Sequence, residues 1–261
     1  MTSQQRDLIA VVDQSPAAAG SHDRAGWVGL FTPNGRIEDP VGARPHVGLR
    51  EIECFYDTFI GPRDITFRRN FDIVSGTTVI RDLDLEVSVS PTRSMTISAV
   101  LRYDLEISGD IVSIDQLRAY WELPTMMLQF LRQGAIAVPA GIALTSGLIR
   151  HQKISGTFGF ARGFRSSGRR GKTVATTFVE HLAGGRNNAA DSLLRGAVTA
   201  NDGELLTTDE LADRLRGAAI TRVIAAGHTV VVSTETAQGG AVVFADIATG
   251  QAAIWKCLVI T

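Results

Sequence analysis

Two rhythms of apolar and polar positions run through this chain, and each occurs twice. An apolar cluster from Trp27 to Phe31 reads as the end of a helix. It stops at Thr32-Pro33-Asn34-Gly35, a turn signal, and Arg36 to Gly42 then reads as a short edge strand. From Leu49 to Phe59 the residues Ile52, Phe55, Tyr56 and Phe59 fall at helical spacing, with Gly61-Pro62 as the stop. The period then changes to two. Val79, Arg81, Leu83, Leu85 and Val87 share one face of a strand, opposite Asp82, Asp84 and Glu86. Met95, Ile97, Ala99, Leu101, Tyr103 and Leu105 share one face of the next, and Ile111 to Trp121 supplies a third after a turn at Ser108-Gly109-Asp110. Helices followed by long antiparallel strands predict an α+β domain with a curled sheet.

The last third repeats that order. Helices are predicted from Val174 to Leu182, from Asn188 to Val198 and from Thr208 to Leu215, the last capped by Thr207 or Thr208. Strands follow at Ile220 to Thr234 with a turn at Gly227, at Gly240 to Ile247, and at Ala252 to Ile260. Between the two units, Pro124 to about Ile149 is apolar, interrupted by Arg132 and Pro139, and runs into a basic, glycine-rich stretch with Arg150, Lys153, Arg162, Arg165, Arg169, Arg170 and Lys172. The whole divides into a first domain over 1–123, a helical and basic connector over 124–171, and a second, degenerate domain over 172–261. The repeat is one of architecture rather than of residues.

Composition narrows the choices. With 44% hydrophobic and 20% charged residues, the 261-residue chain has the profile of a packed protein and not of a disordered one. A net charge of -1 gives no overall field toward nucleic acid, so no nucleic-acid partner is expected. Cys54 and Cys257 are too few and too far apart for a disulfide framework or a zinc site, and the histidines show no ligand spacing, so neither metal nor cofactor is predicted. The polar N-terminus and the short apolar run Leu8 to Val12 do not make a signal peptide, which leads to a cytoplasmic assignment. For the connector the sequence offers two readings, a helix packed across both domains or an interfacial segment touching a membrane surface; a homodimer is also compatible.

The segment from Asp23 to Ile52, with its Trp-Val-Gly-Leu-Phe helix end and its Glu38-Asp39-Pro40-Val41-Gly42 run followed by Arg44-Pro45-His46-Val47-Gly48, resembles the ketosteroid isomerase-like and SnoaL-like superfamily of the nuclear transport factor 2-like fold. The likeness extends over about residues 8 to 121; for 172–261 it rests on the order of elements. It implies two cone-shaped domains, each with helices packed on a strongly curved antiparallel sheet, joined by the helical connector. It also implies an apolar pocket for a polycyclic or lipid-like ligand, with Asp39 in the place of the family's proton-transferring carboxylate; that chemistry belongs to ketosteroid isomerase, in which a carboxylate base faces an oxyanion hole. The family's two oxyanion donors fall here on Ser15 and Leu101, neither of the usual type. Loss of such donors commonly costs a few kcal/mol of barrier, so substitutes are needed.

Candidates for the pocket are Tyr56, Arg81, Leu101, Tyr103, Asp115 and Trp121. Arg81 would stand as a charge on an inner, apolar face, which calls for a partner or a ligand. Asp115, on the same alternation as Leu117 and Trp121, is the available second carboxylate. His46 lies in the loop near Asp39. Three activities fit this set: carboxylate-assisted proton transfer of the isomerase kind, epoxide opening by a hydrolase or cyclase using an acid/base carboxylate pair, and ligand carriage without catalysis.

Overall fold

The structure is a computed structural model and describes residues 2–90, 92–132, 167–201, 203–236, 239–248 and 253–261. Helix α1 (Ser3–Gly20) opens with a capping box, in which Thr2 accepts from the Gln5 backbone N–H and the Gln5 side chain reaches back. It buries Leu8, Val12, Ser15 and Ala19 along one face. Helix α2 (Arg24–Val28) is capped by Asp23 and buries Trp27 and Val28. Helix α3 (Leu49–Phe55) continues into a π-turn over Tyr56–Ile60.

These helices lie on a six-stranded sheet of β1 (Phe31–Glu38), β2 (His46–Val47), β3 (Ile65–Ser75), β4 (Thr78–Ser90), β5 (Arg93–Ser108) and β6 (Ile111–Tyr120). Its order is β2-β1-β6-β5-β4-β3, antiparallel except for the β1–β6 pair. Helix α4 (Leu123–Arg132) follows, and of the segment read as a connector over 124–171 the other described residues, 167–171, lead into the next helix, which takes up Arg169 and Arg170. Arg150, Lys153, Arg162 and Arg165 fall outside the described residues.

Helices α5 (Gly168–Ala183), α6 (Asn187–Leu193) and α7 (Thr208–Leu215) belong to the second body. They rest on a sheet of β7 (Leu194–Ala200), β8 (Leu205–Leu206), β9 (Ala219–Ala226), β10 (Thr229–Thr236), β11 (Gly239–Ile247) and β12 (Ile254–Ile260). The order β8-β7-β12-β11-β10-β9 repeats the first sheet strand for strand, including the one parallel pair, β12–β7. The α+β fold of two cones read from the sequence is borne out, with a parallel pair in each sheet as the addition.

Each cone has a core between helices and inner sheet face, and a third core lies between the two sheets. Ile80, Val100 and Tyr120 of the first meet Ile224, Val231, Val242, Phe244 and Ile260 of the second. The two sheets therefore pack back to back through their outer faces. Polar groups cross the same seam: Arg222 reaches Asp84 at 2.9 Å and Asp82 at 3.2 Å, and Ser233 donates to Asp82 at 2.7 Å.

Three local expectations change. The face carrying Asp82, Asp84 and Glu86 reads as the wet one, yet Asp82 is 2% exposed because the second sheet covers it. Residues 194–198 form strand and not helix, since the Leu194–Ala200 segment pairs with β12. Thr32 to Gly35 lies inside β1 at a shift of register and not in a separate turn. Strand β3 escapes a pattern reading because Arg68-Arg69-Asn70 breaks its alternation at a bulge, as its position at the sheet edge permits.

Candidate functional site

Strand register decides which side chains face the first cone. Ile65, Val87 and Met95 pair in one row; Phe67, Leu85 and Ile97 form the next; Leu101 and Ala119 stand further along; Tyr103 and Leu117 come last. Successive members of β5 with odd numbers point inward because strand side chains alternate. Helices α1, α2 and α3 add Ser15, Trp27, Phe55, Phe59 and Ile60, and α4 closes one side with Met126, Met127 and Phe130. The result is a cavity of about 440 Å³, within the size range of small-molecule sites, and mostly apolar.

Asp39 is set at the end of β1, joined to Pro40 by a cis peptide bond. The chain there is held by the Val41 N–H donating to the Ala119 carbonyl at 2.8 Å and the Gly42 N–H donating to Glu38 Oε1 at 3.0 Å. The accessible surface Asp39 keeps opens on the cavity, while protein encloses it deeply enough for loss of solvent to dominate its acidity. That desolvation raises its pKa from 3.8 to about 6. Trp121 Nε1–H donates to Asp39 Oδ1 at 2.5 Å and opposes the rise in part by favouring the ionised form.

Tyr103 shares the cavity and is 1% exposed. Burial pushes its phenol up to about 12; the charge of Arg81 is the strongest influence acting the other way, followed by Ser15. Arg81 itself is 3% exposed and ion-paired, its Nη2 at 2.6 Å from Asp13 Oδ1 and 2.7 Å from Asp72 Oδ2. The inner-face charge thus has its partners, on α1 and β3, and stands behind Tyr103 and not in the cavity wall.

Of the seven candidates read from the sequence, Asp39, Leu101, Tyr103 and Trp121 line the cavity together, joined by Ser15. Tyr56 packs against Trp27 with ring centroids 5.5 Å apart and lies in the core beneath the site. Asp115 is exposed and accepts from Thr32 Oγ1 at 3.2 Å. A bulge explains its departure: Asp104 pairs with Gln116 but Leu105 pairs with Ile114, so Asp115 is the extra residue and the alternation that would have aimed it inward is broken. His46 packs beside the Phe55 ring at 5.2 Å. Sequence reasoning missed Arg63, which lines the cavity from the turn after the π-helix, and the inward face of α4. The Met126, Met127 and Phe130 spacing was the available signal for the second.

In the second body the concave face is filled. Phe178, Leu182, Leu211 and Leu215 from the helices meet Val230, Val232, Val243, Cys257 and Val259 from the sheet, all buried, with no carboxylate in that core. It supports the site from outside. Ala225 N–H donates to Glu122 Oε1 at 2.9 Å and Lys172 ion-pairs with Glu122, the neighbour of Trp121. The Gly227 turn, at φ +57°, lies so close to Gly42 that an added Cβ would sit 3.0 Å from Gly42 Cα.

Fold and site together define a two-cone α+β protein whose first cone holds an apolar, carboxylate-bearing cavity. Residues 12–114 match the family described as the SnoaL-like domain. That match bears out the resemblance carried by Asp23 to Ile52. No curated protein matches the chain. Among solved structures it is similar to the Δ5-3-ketosteroid isomerase of Mycobacterium sp., at 28% identity over 45% of this chain and 94% of that one, with a TM-score of 0.41. It is also similar to SalBIII, an epoxide hydrolase/cyclase-like enzyme in pyran ring formation in the polyether salinomycin, at 24% over 48% and 96%, with a TM-score of 0.42. A third is RV0760c from Mycobacterium tuberculosis in complex with estradiol-17beta-hemisuccinate, at 23% over 44% and 94%, with a TM-score of 0.41. Among the described residues no helix is long and apolar enough to cross a membrane.

Proposed function

We propose that the first cone takes an apolar small molecule bearing a carbonyl group and moves a proton at the carbon beside it, an isomerase-like reaction with Asp39 as the base. The observation that carries this reading is one carboxylate lining an apolar cavity, held by the Trp121 N–H and raised by burial to about 6. A base titrating close to neutral pH combines a high ionised fraction with useful proton affinity. Asp39 takes the proton; the C–H electron pair passes into an enolate; the carboxylic acid so formed returns the proton at the other end of the conjugated system. No co-reactant is consumed.

Tyr103 supplies the donor that Ser15 and Leu101 do not. Its phenol lines the same cavity, and the charge of Arg81 behind it works against the rise that burial imposes, so that the O–H keeps part of its strength as a donor to developing oxyanion charge. Epoxide opening by a carboxylate pair has less support, because Asp115 faces away and no second carboxylate lines the cavity among the described residues.

The test is thermal stabilisation of wild type and Asp39→Asn by a panel of β,γ-unsaturated ketones, steroids among them, followed by turnover of each binder. Binding by both, with turnover lost at least about a thousandfold in the variant and wild-type turnover rising with pH through about 6, supports the reading. Tight binding with turnover by neither leaves a carrier and overturns it.

A further inference from the structure

The polar groups of the cavity wall fall into two sets at opposite ends. Ser15, Asp39, Tyr103 and Trp121 gather at one. Arg63 and Ser88 stand at the other, where Ile65, Val87 and Met95 pair and the Ser88 N–H donates to the Asp64 carbonyl. The two ends are separated along β5 by the six residues from Leu101 to Met95, or roughly 20 Å at about 3.3 Å per residue. Between them the wall is Phe67, Leu85, Ile97 and other apolar side chains.

Arg63 is the cation of this wall. Its Nη1 donates to the Thr58 carbonyl at 2.7 Å and the Phe59 carbonyl at 2.8 Å, capping the chain where the π-turn ends. That task uses one nitrogen of a fork carrying five N–H donors. For Nε and Nη2 no acceptor is found among the described residues, and no carboxylate there pairs with the guanidinium, whereas Arg81 behind the same wall has two. Burial disfavours the charge, lowering the Arg63 pKa with no carboxylate to offset it. A half-buried guanidinium on an apolar wall is favoured when an anion completes its coordination.

We infer that Arg63 is the recognition site for an anionic group, so that the cavity takes an elongated amphipathic molecule with its apolar body between the ends and a carboxylate or other oxyanion on Arg63. This rests on the apolar-cavity reading above and adds the charge of the ligand to it. Turnover at Asp39 and anion recognition at Arg63 are separable, since the two groups occupy different ends.

The test compares two fluorescent probes with one aromatic body, anilinonaphthalene sulfonate and the uncharged phenylnaphthylamine, on the full chain. Arg63→Gln is expected to weaken the sulfonate about tenfold while the neutral probe changes less than twofold. Arg63→Lys, which keeps a cation, is expected to restore most of the sulfonate's affinity, and this separates charge recognition from the capping role. Equal loss for both probes, or no loss for the sulfonate while the neutral probe still binds, overturns the inference and leaves the cavity reading intact. Failure of both probes to bind wild type overturns the two together.

Discussion

Asp39 shows how one residue's chemistry is set by what surrounds it. A carboxylate in water titrates near 3.8; here it is raised to about 6 by desolvation, with the Trp121 N–H acting against the rise. The sign of the consequence for stability follows. The folded chain holds the Asp39 proton more tightly than the unfolded chain does, so between 3.8 and about 6 stability falls with rising pH, and above 6 the deficit has its full size. Asp39→Asn keeps an acceptor for Trp121 and removes the charge. It should be more stable than wild type at pH 8 by up to about 3 kcal/mol and equal to it at pH 3.5, as read by urea unfolding at both pH values. Tyr103→Phe removes only the phenol. If the phenol is the donor, binding of the neutral ligand changes little while turnover falls by about two to three orders of magnitude, measured as kcat against KM.

At the scale of elements, β4 carries the most consequential pattern. Its odd residues face helices α1 and α3 and its even residues face the second sheet, so both faces are buried and each holds charge. Arg81 is tied to Asp72 on β3 and Asp13 on α1, which locks helix to sheet on the side where Tyr103 stands. Arg81→Met should cost about 3 kcal/mol because Asp72, 8% exposed at its side chain, keeps only Arg69, at 3.2 Å and half-exposed, as a charged partner. The double variant Arg81→Met with Asp72→Leu should recover much of that loss, and a chemical-denaturation cycle measures the difference. Strand β6 gives the opposite lesson. Alternation aims Asp115 inward, and a bulge of one residue turns it out to Thr32. The helix at Leu49–Phe55, strands β4 to β6 and the capped helix Thr208–Leu215 were legible because each depends on neighbours within a few positions; the strand at 194–200 was not, since pairing with β12 decides it. The bulges at Asn70 and Asp115 were not, because a bulge is fixed by which strand lies alongside and in what register.

At the scale of the whole molecule the second cone packs its described inner face with apolar side chains and braces the first. Its sheet covers the outer face of the first sheet; its Ala225 N–H and Lys172 hold Glu122 beside Trp121; its Gly227 turn lies against the loop after Asp39. Phe244 stands at the centre of the seam, its ring 5.0 Å from that of Tyr120. Phe244→Ala should lower the stability of the chain by about 3–5 kcal/mol, as cavities in close-packed cores do. Denaturation followed separately by the Asp39-side tryptophans and by far-ultraviolet dichroism should lose its coincidence in that variant, since the seam couples the two bodies.

By itself the sequence determined the class of the fold, the repetition of helices followed by strands, a short strand at Asp39, and the inward positions of Leu101 and Tyr103, because period and local turn chemistry suffice for these. Tertiary structure alone decided that Arg81 is paired and not ligand-facing, that Asp115 leaves the site, that Arg63 enters it, and that the Asp82 face is buried. Each of these depends on a contact between residues distant in the chain, and burial, which sets the energy of a charge, is a property of that packing and not of any local run of residues.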